Sequence, residues 1–249
     1  MPPNNPVLRQ LHRAATAVPP VINSYRKIRD LSKTDPLATA LYRKIFDRGR
    51  LQLPTIAAEQ LGPAGGAIQF PVFYPLLAGE DAPLIDMLFL LNLAKGRQAK
   101  RILEVGTFRA RTTCALQMNC PEAVIVSYDI QVLDSPYRQA LSNCPKVSLR
   151  HASFAESAEA LRQEAPFDLI FVDGSHRVED VITDSRIALA VLAPGGIIVW
   201  HDYRPNDYHT EALRVPEGLE VIRQSAELFA VNHTTCAVYV SPASRSEGK

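Results

Sequence analysis

A chain of 249 residues with 47% hydrophobic and 21% charged residues can build one α/β domain with a substantial core, alone or with an appendage. Its formal net charge of +1 gives no global field that favours nucleic acid. The longest apolar helix candidate, "PLIDMLFLLNLA", is too short to span a bilayer and contains Asp86, so a membrane role is not expected.

Residues 1–80 are rich in proline and basic side chains. Residues 1–50 alone hold ten Lys/Arg against three Asp/Glu. Short helices are predicted at 7–17, 21–31 and 36–48, followed by a Gly- and Pro-rich loop, "LGPAGGAIQFPVFYP", at 61–75. No compact basic run appears, so this extension reads as a solvated helical surface, with a basic face for an acidic partner or a second subunit as the sharper reading. The first ten residues, "MPPNNPVLRQ", lack the apolar stretch of a secretory signal. From Asp81 the pattern sharpens. Asp81 is a candidate cap, Pro83 fits a first turn, Leu84, Leu88, Leu91 and Leu93 supply an apolar face, and Gly96 is a stop.

Strands and helices then alternate. Strands are predicted at 101–106, 123–129, 147–151, 167–173 and 196–202, and helices at 110–119, 136–142, 155–165 and 177–192. Runs such as "DLIFVD" and "GIIVW" are continuously apolar, which fits strands buried on both faces of a parallel sheet. Near the end, "LEVIRQS" (219–225), "LFAVN" and "CAVYV" (236–240) read as strand-like pieces without a helix between them, hence an antiparallel pair at the sheet's edge. The expected fold is α/β: a Rossmann-like, doubly wound, mostly parallel seven-stranded sheet with an antiparallel C-terminal strand. Residues 81–243 form the domain, an N-terminal helical extension precedes it, and 244–249 is a disordered tail. Cys114, Cys120, Cys144 and Cys236 form no CxxC pair and read as reduced thiols of a cytoplasmic protein.

Ligands of doubly wound sheets bind at the carboxyl ends of the strands. The first two strands each end in an acid, Glu104 and Asp129. An acid at the second strand end can accept from two ribose hydroxyls. The loop "EVGTFRARTT" lacks the G-x-G-x-x-G that brings backbone against a pyrophosphate, and Glu104 would repel one. A cationic adenosine ligand, S-adenosylmethionine, fits better than a dinucleotide.

The segments "ILEVGTFRARTTCAL", "YDI", "HASFAESAEAL", "FDLIFVDGSHRVEDVITD" and "LAPGGIIVWHDY" together resemble the class I S-adenosylmethionine-dependent methyltransferases, more narrowly the metal-associated O-methyltransferase branch. The resemblance covers about 100–240. The family's first motif, E-x-G-x-x-x-G-x-[ST], reads here as Glu104, Gly106, Ala110 and Thr112. Ala110 stands where the family has glycine, so the backbone there is expected to avoid positive φ. The resemblance implies cofactor contacts from Glu104, Gly106 and Thr107 at the methionine end, Asp129 and Ile130 at the ribose, Ser153 and Phe154 at the adenine, and Asp173 near the reacting methyl.

A second cluster sits in "VDGSH" and "WHDY". Asp173 ends the fourth strand, His176 follows three residues later, and His201 and Asp202 end the fifth. A divalent cation held by carboxylates lowers the pKa of a bound hydroxyl, and oxygen-rich ligands suit Mg²⁺ or Mn²⁺. A histidine alongside can take the proton. The resemblance assigns Asp173 and Asp202 to metal or acceptor and His176 to the base. The third family ligand is absent beside Asp202, which leaves His201, or Asn206 and Asp207 folding back. Arg109 and Arg111 read as solvent or cleft charges, and Trp200 as core. The implied activity is O-methylation of a small-molecule hydroxyl by a homodimer or a monomer, with a substrate lid from 61–80 and 203–216. A nucleotide-dependent oxidoreductase and a catalytically silent scaffold are the alternatives.

Overall fold

The computed structural model describes residues 53–71, 82–131, 133–204 and 214–243. The predicted N-terminal helices, the 244–249 tail, Asn206, Asp207 and much of the two lid segments lie outside the described residues.

The five predicted parallel strands are β2 (Arg101–Val105), β3 (Val124–Asp129), β4 (Val147–His151), β5 (Phe167–Val172) and β6 (Leu192–Trp200). Helices α1 (Leu84–Gly96), α2 (Arg111–Asn119), α3 (Pro136–Leu141), α4 (Ala158–Glu164) and α5 (Val178–Val191) connect or precede them. The sheet has eight strands in the order β1–β7–β8–β6–β5–β2–β3–β4, where β1 is Thr55–Ile56, β7 Phe229–Val231 and β8 Ala237–Val240. The run from β6 to β4 is parallel, while β8 is antiparallel to both β6 and β7. The extra strand relative to the expected seven is the two-residue β1, drawn from the loop region before the domain and paired with β7.

Alternation along the strands divides the core. Ile102, Ile125, Leu169, Phe171, Ile197 and Val199 face one side with Met87, Leu90 and Leu91 of α1 and Leu116 of α2. Leu103, Val126, Ile170, Ile198 and Trp200 face the other with Leu161 of α4 and Val181 and Ala188 of α5. Both faces are therefore covered, as the continuous apolar runs require. Within α1 the buried face is Asp86, Met87, Phe89, Leu90, Leu91, Leu93 and Ala94, while Leu84 is exposed, so the face is rotated from the predicted one.

The segment read as a strand at 219–225 is instead the end of a helix, α6 (Arg214–Ile222). Its buried Val215, Leu219 and Ile222 recur at helical spacing. Gly218 lets α6 lie against α5: a β-carbon there would sit 2.5 Å from a methyl of Val181.

Strand order reverses at β2, with β5 on one side and β3 on the other. The crevice beyond the carboxyl ends of these strands is the topological switch point.

Candidate functional site

The parallel register fixes which residues leave the sheet together. Val105 pairs with Val172 and Val172 with Trp200, so Gly106, Asp173 and His201 emerge side by side. Gly106 has φ of 98°, and a β-carbon there would lie 1.9 Å from the carbonyl oxygen of Asp173. Only glycine permits this approach of the first loop to the fourth strand end. The loop is tied to β3 as well: the N–H groups of Gly106 and Thr107 donate to the Tyr128 carbonyl, and that of Phe108 donates to Asp129 Oδ2 at 2.5 Å. Asp129 Oδ1 accepts from the Gln131 N–H at 2.8 Å. Each carboxylate oxygen keeps a further lone pair for a ligand hydroxyl.

Ala110 corrects one expectation. It is the N-cap of α2 and adopts φ of 64° and ψ of 23°, the left-handed conformation that the family glycine would take. The bonds of Ala110 N–H to the Thr107 carbonyl and of Ser135 Oγ to the Arg109 carbonyl over-determine the turn, so alanine accepts its strain.

Glu104 corrects another. It is fully buried and does not reach the cavity described below. Its Oε2 accepts from Thr113 and Ser127, and Ser127 also bonds Thr107. Burial raises its carboxyl to about 7 against the lowering effect of those hydroxyls. Being one residue before the strand end, Glu104 points into the layer under α2. Arg111, read as a solvent or cleft charge, is on the cleft side of that choice: it is buried and lines the cavity, with Nη2 donating to the Ala82 carbonyl. Trp200 is core as expected, its indole N–H on Ser185 Oγ at 2.9 Å.

The second cluster forms at the ends of β5 and β6. His201 Nδ1 lies 3.1 Å from Asp173 Oδ1 and 3.3 Å from Asp202 Oδ2. His176 Nε2 lies 3.0 Å from Asp202 Oδ2. Among the described residues the carboxylates of Asp173 and Asp202 neither cap α5 nor pair with Arg177 or Arg204; they face the two histidines. One residue that sequence reasoning missed completes the cluster. Asp86 of α1 is buried, with Oδ2 3.2 Å from His201 Nε2, and Thr235 fastens it through its N–H at 2.9 Å and its hydroxyl at 2.7 Å.

Electrostatics follow from this crowding. Burial opposes charge on His201, but Asp173, Asp202 and Asp86 outweigh it and push the imidazole well above its usual range. The bond to Asp202 raises His176. Burial would raise Asp202, yet the two histidines hold it well below the usual carboxylate range. Single donor atoms of Asp173, His201 and Asp202 lie within 4.8 Å of one another. Among the described residues the buried side-chain atoms without a hydrogen-bond partner are Glu104 Oε1, His201 Nδ1 and Asp202 Oδ1. Two of the three belong to this cluster. His201 Nδ1 sits close to two carboxylates but aligns with neither as a hydrogen bond. Convergent donors that do not satisfy one another fit a divalent cation between them.

One cavity of about 620 Å³ joins the two regions. Gly106, Thr107, Asp129, Ile130, Ser153 and Phe154 line one part of it, and Asp173, His176, His201 and Asp202 another. Ile130 is 70% exposed, an apolar side chain left without cover at the rim. Phe154 packs edge-on against Tyr128, with ring centroids 5.6 Å apart. Asp184 of α5 also lines the cavity, and burial raises its carboxyl to about 7.

Residues 88–203 match the family model described as a methyltransferase domain. Among solved structures the chain is similar in fold to cofactor-bound Rv0187 from MTB, at 18% identity and a TM-score of 0.52 over 92% of this chain and 99% of that one. It is similar to the SAH-bound methyltransferase PaMTH1 of Podospora anserina, at 14% identity and a TM-score of 0.52 over 97% of each chain. It is also similar to the O-methyltransferase TomG of Streptomyces achromogenes, involved in tomaymycin synthesis and solved with SAM, at 20% identity and a TM-score of 0.50 over 65% of this chain and 82% of that one. No helix among the described residues is long and apolar enough to cross a membrane.

Proposed function

Because residues 88–203 match the family model described as a methyltransferase domain, we propose that this protein transfers a methyl group from S-adenosylmethionine to the hydroxyl oxygen of a small molecule. The observation that carries the reading is the continuity of one cavity between Asp129 at the second strand end and the Asp173–His201–Asp202 cluster at the fourth and fifth. A nucleoside on the first would present its reactive end to the second.

In this reading Asp129 accepts from the two ribose hydroxyls, while Ile130, Ser153 and Phe154 enclose the adenine. Gly106 and Thr107 take the methionine end, and Glu104 acts on it through Ser127 and Thr107. S-adenosylmethionine, when bound, supplies an electrophilic methyl on a cationic sulfur. A Mg²⁺ or Mn²⁺ ion held by Asp173, His201 and Asp202 would lower the pKa of an acceptor hydroxyl and offset the carboxylates. His176 donates its Nε2–H to Asp202, which leaves Nδ1 to take the acceptor's proton. The acceptor oxygen bonds the methyl carbon as the carbon–sulfur bond breaks, and the sulfur leaves as a neutral thioether. The chain's contribution is mostly orientation of the two reactants in line. The silent-scaffold alternative leans on Ala110 and on the missing third acid beside Asp202; Ala110 keeps a left-handed turn, and His201 stands with the two acids.

Calorimetric titration with S-adenosylhomocysteine tests the reading. The parent is expected to saturate in the micromolar range. Asp129→Ala should weaken binding, while Asp173→Ala should spare it and abolish labelled-methyl transfer to small hydroxyl compounds. Parent-like behaviour of both variants would remove the site assignment, and absence of binding by the parent would remove the cofactor.

A further inference from the structure

We propose that Asp86 is a positioning residue that fixes the tautomer of His201 and so makes its Nδ1 a ligand for a divalent cation; this rests on the cation site just proposed. Asp86 comes from α1, ahead of β2, and is 115 residues from its histidine.

The argument begins with donors and acceptors. Thr235 supplies two donors to Asp86, its N–H to Oδ1 and its hydroxyl to Oδ2. A carboxylate only accepts, so the ring atom 3.2 Å from Oδ2, His201 Nε2, carries a hydrogen. A cation standing among the carboxylates displaces the hydrogen that they otherwise favour on the other nitrogen, and the neutral imidazole so formed has its lone pair there. That nitrogen, Nδ1, faces Asp173 and Asp202 and lacks a hydrogen-bond partner. A lone pair aimed at two carboxylates is repulsive unless a cation stands among them. A carboxylate behind a histidine with metal ligands in front is the arrangement that orients the ring and raises its basicity as a ligand.

Burial makes the arrangement stiff. Asp86 is 2% exposed and His201 4%, and Phe171 packs edge-on to the imidazole with centroids 6.0 Å apart. Rotating the ring would cost the Asp86 bond without a replacement nearby. Asp86 thus sits outside the cavity but sets which atom the cavity receives: it does not line it, whereas His201 does.

Asp86→Asn discriminates this role from packing. The amide has nearly the same shape. With its oxygen kept for the Thr235 N–H, its NH₂ faces both the Thr235 hydroxyl and His201 Nε2, and a donor there moves the ring hydrogen to Nδ1. The probe is Mn²⁺ alone, with free ion measured by electron paramagnetic resonance on the full chain. The parent is expected to bind Mn²⁺, and Asp86→Asn to bind it about ten- to a hundredfold more weakly. Thr235→Val, which keeps the carboxylate on His201, should stay within about threefold of the parent, a split that a purely structural role would not produce. Nitrogen-15 spectra of the Mg²⁺-saturated parent should show the hydrogen of His201 on Nε2 and none on Nδ1, and this measurement stands even if the Asn variant does not fold. Parent-like Mn²⁺ affinity in Asp86→Asn, equal losses in the two variants, a ring hydrogen on Nδ1 in the Mg²⁺-saturated parent, or no Mn²⁺ uptake by the parent would each overturn the proposal. S-adenosylhomocysteine titration of the same samples separates this from failure of the cofactor reading, since Asp86→Asn should keep the parent's nucleoside affinity.

Discussion

Asp184 offers a test of the site's electrostatics that needs no substrate. Its side chain is 8% exposed, and burial, with Asp180 adding to it, raises the carboxyl from 3.8 to about 7. In the unfolded chain the group ionises near its ordinary value. Between about pH 4 and pH 7 the native state therefore holds a proton that the unfolded state has lost, and stability falls as pH rises through this window before levelling above it. With about 1.36 kcal/mol per pKa unit, the cost reaches roughly 4 kcal/mol at pH 8 and less than about 2 kcal/mol at pH 5. Asp184→Asn keeps the shape and removes the ionisation. It should be more stable than the parent by roughly 4 kcal/mol at pH 8, with an advantage roughly 3 kcal/mol smaller at pH 5. Urea unfolding reads this directly through Trp200, the single tryptophan, which is buried and bonded to Ser185. Glu104, raised to about 7 by burial, follows the same pH course but is present in both proteins and cancels from the comparison. An Asn variant whose advantage is equal at pH 5 and pH 8 would refute the reasoning, because it would mean that Asp184 ionises alike in both states.

Two backbone substitutions probe the loop that joins the strand ends. Gly106→Ala must place a β-carbon where the Asp173 carbonyl already lies, at a φ of 98°; a loss of about 2–4 kcal/mol in urea unfolding is expected, together with loss of S-adenosylhomocysteine binding. Ala110→Gly should be nearly neutral, because relief of about 1–2 kcal/mol of left-handed strain is offset by about 0.8 kcal/mol for the lost methyl contact and about 0.5–1 kcal/mol of chain entropy. A stability change above about 2 kcal/mol, or altered nucleoside affinity, would show that the methyl packed against Cys114, Tyr137 and Leu141 has a larger part than this balance gives it.

Much of the fold was legible because burial on both faces leaves a mark that periodicity can read. "DLIFVD" and "GIIVW" have no polar face, and their ends place Asp173 and Asp202 at the crevice without any knowledge of loops. What failed did so where tertiary contact decides between two patterns. "LEVI" satisfies a strand through Leu219 and Val221 and a helix through Leu219 and Ile222, and the approach of α5 at Gly218 selects the helix. Glu104 was placed by its distance from a strand end, but side-chain direction alternates residue by residue, and one position back turned it from the ligand to Thr113 and Ser127. Asp86 was visible only as a charge in an apolar helix. An acid on the buried face of such a helix demands partners, yet His201 and Thr235 are 115 and 149 residues away, and nothing local names them.

The geometry of the second cluster depends on one further departure from regular backbone. Consecutive residues of a strand point to opposite faces, so His201 and Asp202 should not both reach Asp173 if β6 simply continued. The strand stops at Trp200, and Asp202 turns to φ of 55°, a left-handed conformation costly for any residue with a β-carbon. The turn brings Asp202 Oδ2 within 3.3 Å of the neighbouring ring and within 3.0 Å of His176. Asp202 is 4% exposed, so the strained residue is locked by its surroundings. Gly106 at 98°, Phe108 at 46° and Asp202 at 55° all line the cavity just beyond the carboxyl ends of β2 and β6, and Ala110 at 64° follows at the start of α2. Away from the cavity the sheet has a register shift between Phe167 and Leu169, and its faces are filled with apolar side chains. That core is what holds these turns and the cluster of carboxylates and histidines in one place, and it keeps their side chains directed at a common point.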